Sequence, residues 1–286
     1  MTSDGSPRTV LVSVDVEPDV AMFVKGKKGL AEGLLRLRDV FDACDVPADY
    51  FFTCDAAVAV PDFVREIVAG GHWLGCHGLD HATDYYSRRP EAWQRRAIQE
   101  ATAGLAGIAG RPPRLFRAPN FSVSPIILQT LDRLHYAADS SVLPGRRKKR
   151  YRVLPLLDHR AAPTEPYHPS PTDPCAPGDL GLLEVPVTQN PLAPGGPIGL
   201  GFVNACGPQE GLRAIQESEG RVITILCHTW EAIDLGREYP GLPVWLSETC
   251  RSDLRGFAEF LKAIRQEYRL GRLQDVVHRA RGTAGA

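Results

Sequence analysis

Short apolar runs rich in β-branched residues recur along this chain, separated by stretches of helical period, and that rhythm restricts the fold more than any other feature. The first, Thr9–Val16 (TVLVSVDV), is nearly continuous in β-branched residues, as a fully buried parallel strand requires. Further runs lie at 50–54, 72–76, 114–118, 136–140, 182–187 and 221–227. Between them the spacing predicts an amphipathic helix carrying Leu34, Leu35, Val40 and Phe41, then helices at about 62–69, 89–108, 125–134 and 209–217. A last helix at 252–268 shows apolar residues at Leu254, Phe257, Phe260, Leu261 and Ile264 and should lie outside the sheet. Strand and helix in regular alternation imply an α/β fold with a parallel sheet, whose chemistry collects at the carboxyl ends of the strands. Residues 143–180, rich in proline and arginine, break the rhythm and read as an irregular insertion within one domain spanning 1–286.

Composition narrows the setting. A net charge of -1 gives no reason to expect nucleic acid, and no apolar run approaches the roughly 20 residues of a transmembrane segment. Seven cysteines without a CxxC pair do not resemble a disulfide framework, so Cys54, Cys76 and Cys227 are expected to be buried small hydrophobes. No charged-then-apolar leader precedes Val10, and the expectation is a reducing, cytoplasmic location. Oligomeric state is left open.

Asp15, His77, Arg117, Asp139 and His228 each sit at the end of a separate apolar run, an arrangement that random scatter would seldom produce. His77 and His81 stand four positions apart in a stretch that leaves a strand, so both imidazoles can reach one metal ion. A carboxylate from the Asp15-Val16-Glu17 turn would complete a three-donor set with open positions for water and a carbonyl, the arrangement for hydrolysis. One carboxylate is then ligand and the other base. Arg117 could pair with the base, His228 could protonate a leaving nitrogen, and Asp139 could hold the imidazolium of His228. Each also has an ordinary structural reading: a strand-end salt bridge, a core histidine, a turn cap. Two histidines and a carboxylate accept Zn, Co, Ni, Mn or Fe.

Taken in order, Ser13-Val-Asp-Val-Glu17, His77-Gly-Leu-Asp-His81, Phe116-Arg-Ala-Pro-Asn-Phe-Ser122, Asp139-Ser140 and Leu226-Cys-His-Thr-Trp-Glu231 resemble the motifs of the polysaccharide deacetylase family. That family is also called the NodB-homology domain or carbohydrate esterase family 4, and the likeness is to its Asp-x-Glu branch. The resemblance runs from about Thr9 onward and includes the strand Leu182-Leu-Glu-Val-Pro-Val-Thr188. It implies a distorted (β/α)7-type barrel, with Asp15 as catalytic base, His77 and His81 as metal ligands, Arg117 on the base and His228 as general acid. It further implies that Asp139 steadies His228 and that the Asn120 backbone amide is an oxyanion donor. Two positions depart from the family pattern. Val16 stands where the commonest motif has its metal-binding aspartate, so the ligand role passes to Glu17, with Asp15 as the alternative. Gly78 replaces the usual Ser or Thr after the first histidine and removes a loop-fixing hydroxyl.

The function expected from this resemblance is a metal-dependent amidohydrolase, with zinc the expected ion, that removes an N-acetyl or similar small acyl group. Its substrate would be an intracellular amino sugar: a small molecule, a nucleotide-linked sugar or a lipid-linked precursor. The alternatives are a cyclic amide or ureide (allantoinase-like) hydrolase or deformylase on the same fold, and a catalytically silent carbohydrate-binding barrel. Lys25, Lys27 and Lys28 follow the first strand on the rim of the site and could meet a phosphate, as could the basic run 146–150. Trp230 and His168, the latter beside Tyr167 and Pro169, are candidate substrate contacts.

Overall fold

The computed structural model describes residues 7–20, 23–24, 26–81, 85–151 and 153–283. Its strands are β1 (Thr9–Val16), β2 (Ala48–Phe52), β3 (Gly75–Cys76), β4 (Leu115–Phe116), β5 (Ala138–Asp139), β6 (Arg147–Arg150), β7 (Leu154–Asp158), β8 (Leu183–Glu184), β9 (Val222–His228) and β10 (Arg269–Gly271). Eight of them form one parallel sheet, and β6 and β7 form a separate antiparallel hairpin. β1 is its centre. One edge of β1 pairs with β9 from Thr9↔Val222 to Asp15↔His228. Along the other edge, β10 lies opposite Thr9 to Leu11 and β2 opposite Val12 to Val16. From β2 the sheet continues through β3, β4 and β5 to β8.

Irregular chain fills the gap between β8 and β9. Val187 N donates to Val142 O (2.8 Å), Thr188 N to Thr224 O (3.2 Å) and Leu226 N to Ile198 O (3.0 Å). The result is a distorted parallel barrel: the parallel sheet follows from the strand-helix rhythm and the barrel form agrees with the family resemblance.

Alternation along β1 divides inside from outside. Val10, Val12, Val14 and Val16 belong to the main core with the helical residues Leu34, Leu37, Phe257, Phe260 and Leu261. Leu11 belongs instead to a second cluster with Phe51, Leu115, Ala138 and Leu183, packed against Leu273, Val276 and Val277 of the carboxyl-terminal helix. Ser13 and Asp15 share the face of Leu11. Polar side chains therefore enter the barrel above an apolar plug.

The helices begin and end as local chemistry dictates. Proline occupies the first turn of Pro61–Ala69, Pro125–Arg133 and Pro208–Glu217, where its missing N–H costs no hydrogen bond. Gly110, at φ 73°, closes Glu91–Ala109 in the left-handed conformation that suits glycine. The first α-helix, Leu34–Cys44, buries Leu34, Leu37, Phe41 and Cys44, whereas Leu35 is 43% exposed; the expected apolar face is rotated by one position. The insertion contains the β6–β7 hairpin, and the helices Leu200–Cys206 and Leu273–Thr283 were not read from the sequence. Among the described residues no helix is long and apolar enough to cross a membrane.

Candidate metal centre and active site

The carboxyl ends of β1, β3, β4, β5 and β9 meet over the inner plug. Glu17, one residue beyond β1, is buried, and its Oε2 lies 3.1 Å from His81 Nε2 and 3.4 Å from His77 Nε2. All three ligand atoms fall within 4.8 Å of one another. Donors about 2.1 Å from one tetrahedral ion would be spaced by about 3.4 Å, so this separation suits a divalent cation. Glu17 Oε2 is also a buried oxygen with no hydrogen-bond donor, whereas Oε1 accepts from Trp230 Nε1 (2.9 Å). A donor set with one buried, unsatisfied carboxylate oxygen facing two imidazole nitrogens fits a metal ion well.

The candidate ligands Glu17 and His77 are oriented from behind. His77 Nδ1 lies 2.8 Å from the carbonyl oxygen of Arg117, so Nδ1 carries the proton and Nε2 presents its lone pair. The loop between the histidines turns at Gly78, whose φ of 82° suits glycine. Its missing hydroxyl is replaced from a distance. The buried Tyr86 hydroxyl accepts from the amides of Leu79 (3.0 Å) and Asp80 (3.1 Å) and donates to the carbonyl of Asp80 (2.8 Å). Burial alone would raise the Glu17 carboxyl; His81, His77 and His228 outweigh it and hold the group well below the ordinary carboxylate range.

Asp15 lies beside this triad. Its Oδ1 accepts from Arg117 Nη1 (2.8 Å), and its Oδ2 lies 3.7 Å from His77 Nε2 and 4.0 Å from His228 Nε2. Arg117 is completely buried and fully used. Nη1 also donates to Ser13 Oγ (3.0 Å), Nε to Ser140 O (2.9 Å) and Nη2 to Ser140 Oγ (2.9 Å), while the guanidinium lies 4.3 Å over the Phe51 ring. Asp15 is thus held by a partner that is itself held on every edge.

His228 closes the other side. It stacks on Trp230, with ring centroids 4.6 Å apart, and its Nδ1 lies 3.4 Å from Glu231 Oε1. The second Glu231 oxygen accepts from the His228 amide (2.8 Å), so one carboxylate holds both backbone and ring. Burial pushes the imidazole down, but Glu231, with help from Glu17 and Asp15, lifts it to about 9. Opposite, Asn120 and Phe121 both adopt positive φ (56° and 59°), a strained pair of the kind that persists where surrounding structure enforces it. The Asn120 amide donates to no acceptor among the described residues. Ala118, Asn120, Phe121, Arg146, Pro197, Leu226 and Val20 complete the walls of the pocket.

Several sequence expectations need correction. Asp139 does not meet His228: its Oδ1 accepts from Ser141 Oγ (2.5 Å), and it sits in register with Glu184 on β8, forming a buried carboxyl pair. Burial raises both, Asp139 to about 6 and Glu184 well above its usual value, so this pair shares a proton. Glu231, not Asp139, is the carboxylate beside the His228 ring. Trp230 lines the pocket, but its indole N–H is spent on Glu17. His168 is exposed, bonded through Nδ1 to the carbonyls of Leu180 and Leu182 (3.0 Å each), and does not line the pocket. Lys28 is engaged by Glu238 (2.6 Å) and Glu32 (3.5 Å), Lys27 is exposed and away from the pocket lining, and Lys25 lies outside the described residues. Glu231 was missed although it stood in the quoted motif; its i,i+3 spacing from His228 was the available signal.

Residues 4–138 match the family described as polysaccharide deacetylase, a segment carrying Asp15, Glu17, His77, His81, Arg117 and Asn120. No curated protein matches the chain. Among solved structures it is similar to a Mycobacterium smegmatis protein assigned as a polysaccharide deacetylase (TM-score 0.67, 17% identity, 99% of this chain and 93% of that one). It is also similar to the Puue allantoinase (TM-score 0.62, 16% identity, 96% and 91%). A third is BA3943 from Bacillus anthracis, a CE4 family pseudoenzyme (TM-score 0.53, 12% identity, 95% and 66%). The amino-terminal part of the chain thus matches the polysaccharide deacetylase family, and the whole chain shares the fold of these solved structures.

Proposed function

We propose that this protein is a divalent-metal amide hydrolase, with zinc the expected ion, that removes an N-acetyl or similar small acyl group from an amino-sugar substrate. The observation that carries the reading is the buried, donor-free Glu17 Oε2 facing two imidazole nitrogens, with the Arg117-paired Asp15 carboxylate alongside. Glu17, His77 and His81 would hold the ion; when bound, it supplies a Lewis acid that polarises the acyl carbonyl and acidifies water.

The side chains divide the remaining work. Asp15 accepts a proton from the attacking water, and Arg117 keeps the carboxylate aimed. The Asn120 N–H faces the oxygen that gains charge as the carbonyl becomes tetrahedral. His228, lifted to about 9, is protonated at neutral pH and gives its proton to the departing sugar nitrogen. All seven cysteines are free, which suits a substrate met in a reducing compartment.

A cyclic amide is the second reading, supported by the fold likeness to an allantoinase. Both readings are tested by supplying metal-loaded protein with N-acetylated amino sugars and with allantoin and measuring released acetate or ring opening. Acetate release that Asp15→Asn abolishes, without loss of metal, is the expected result. Ring opening without acetate release would select the second reading, and no turnover of either would leave a silent binding barrel.

A further inference from the structure

One cation of the pocket has no part in the chemistry above. Arg146 follows β5 at the start of the insertion, alone among the basic run 146–150 in lining the pocket that holds Asp15, Glu17 and His228. Its guanidinium lies 5.0 Å from the centroid of the Phe121 ring, itself a wall of that pocket. Nη1 donates to Gly195 O (2.7 Å), but Nε is buried with no acceptor. Nη2 likewise has none among the described residues, so the Nε–Nη2 edge, the fork that grips carboxylates and phosphates, has no protein acceptor there.

Among the described residues no carboxylate neutralises this arginine. Asp158, on the facing strand of the hairpin, pairs with Arg160 (2.7 Å) and Arg147 (3.5 Å). Glu17 and Asp15 have partners already described. A half-buried guanidinium without a counter-charge loses hydration and regains little, a cost that a ligand anion would offset.

The position is also built. Arg146 N donates to Leu143 O (3.1 Å), and His159 N donates to Arg146 O (2.8 Å). Gly145, at φ 80°, makes the turn before it. The Gln189 amide, oriented to satisfy both its ends, donates to Pro144 O (2.8 Å) and accepts from Gly195 N (3.1 Å). The same loop thereby fixes both the arginine and the carbonyl that holds its Nη1. Recognition through a pre-positioned fork spares the entropy of ordering a long side chain.

We infer that Arg146 is a specificity residue whose unpaired guanidinium edge binds an oxyanion, a carboxylate or a phosphate, carried by the molecule that enters the pocket. The inference rests on the amide-hydrolase reading only for what else that molecule carries, namely an acylated amino sugar.

The test is calorimetric titration of metal-loaded Asp15→Asn protein, in which turnover is blocked, with three probes: neutral N-acetylglucosamine, its 6-phosphate, and N-acetylmuramic acid, which bears a carboxylate. At least one anionic sugar should bind about tenfold or more tightly than the neutral one. Adding Arg146→Gln should weaken the preferred anion by about tenfold to a hundredfold and leave the neutral sugar within about twofold. Arg146→Lys should recover part of the loss, since it keeps charge without the fork. Which anion is preferred separates carboxylate from phosphate. Equal binding of charged and neutral sugars, or equal weakening of both by Arg146→Gln, would overturn the assignment; if that variant does not fold, Arg146→Lys and the selectivity of the parent decide. Should no sugar bind, the substrate reading falls, and inorganic phosphate becomes the probe: Arg146-dependent binding sustains the anion site, and none refutes it.

Discussion

Replacing Arg117 by methionine isolates the interaction on which the site depends most. Methionine matches the length of the arginine stem, but it removes the guanidinium from over Phe51 together with four hydrogen bonds, one of them to the buried Asp15 carboxylate. Removing one partner of a buried ion pair costs about 3–5 kcal/mol, because the surviving charge is left without compensation. His77 and His228, at 3.7 Å and 4.0 Å from Asp15 Oδ2, offset part of that, so about 3 kcal/mol is expected. Asp15→Asn leaves an oxygen for Arg117 Nη1 and should cost less, about 1–2 kcal/mol. In Asp15→Asn/Arg117→Met neither charge is stranded, so the double variant should be more stable than the sum of the single losses by about 1.5 kcal/mol or more. Urea unfolding of chelator-treated protein, followed by circular dichroism and tryptophan fluorescence together, measures all four corners. A loss below about 1 kcal/mol for Arg117→Met, or strict additivity, would refute the claim that this pair is buried and interdependent.

Three shorter predictions follow from neighbouring contacts. Trp230→Phe keeps the stack on His228 but removes the indole hydrogen bond to Glu17, and chelator competition should show metal affinity about 10–100-fold weaker. Glu231→Gln withdraws the charge that lifts His228 to about 9, so the alkaline limb of kcat/KM against pH should move to lower pH; an unmoved limb would remove His228 as the acid. The Asp139–Glu184 pair binds protons more tightly folded than unfolded, so it should lower stability as pH rises from about 4 through 6 and beyond. Glu184→Gln should flatten that decline in urea midpoints measured between pH 5 and pH 8.

The barrel was legible because burial on two faces demands apolar, β-branched strands, and TVLVSVDV meets that demand openly. β3, β4, β5 and β8 extend over only two paired residues each, so their apolar runs marked position better than length. Asp15, Glu17, His77, His81, Arg117 and His228 converge because each lies at or just beyond a strand end. Which neighbour each meets was less legible. Asp139 and Glu231 both lie near strand ends, and only the register of β5 with β8 and the tight turn after β9 determine that Glu184 takes one and His228 the other. Tyr86 was hidden for a similar reason: its hydroxyl reaches back six and seven residues to fix the histidine loop, a contact with no fixed spacing. In the helix Leu200–Cys206, seven residues bounded by Gly199 and Gly207 are too few to show a period.

The division of labour between two neighbouring carboxylates is the central claim, and metal content tests it most directly. Purified wild type, Glu17→Ala and Asp15→Asn would be loaded with zinc, passed through a desalting column and analysed by plasma mass spectrometry. About one equivalent in wild type and in Asp15→Asn, with loss in Glu17→Ala, is the result predicted from a ligand at Glu17 and a base at Asp15. Metal retained by Glu17→Ala and lost by Asp15→Asn would exchange the two roles and contradict the account.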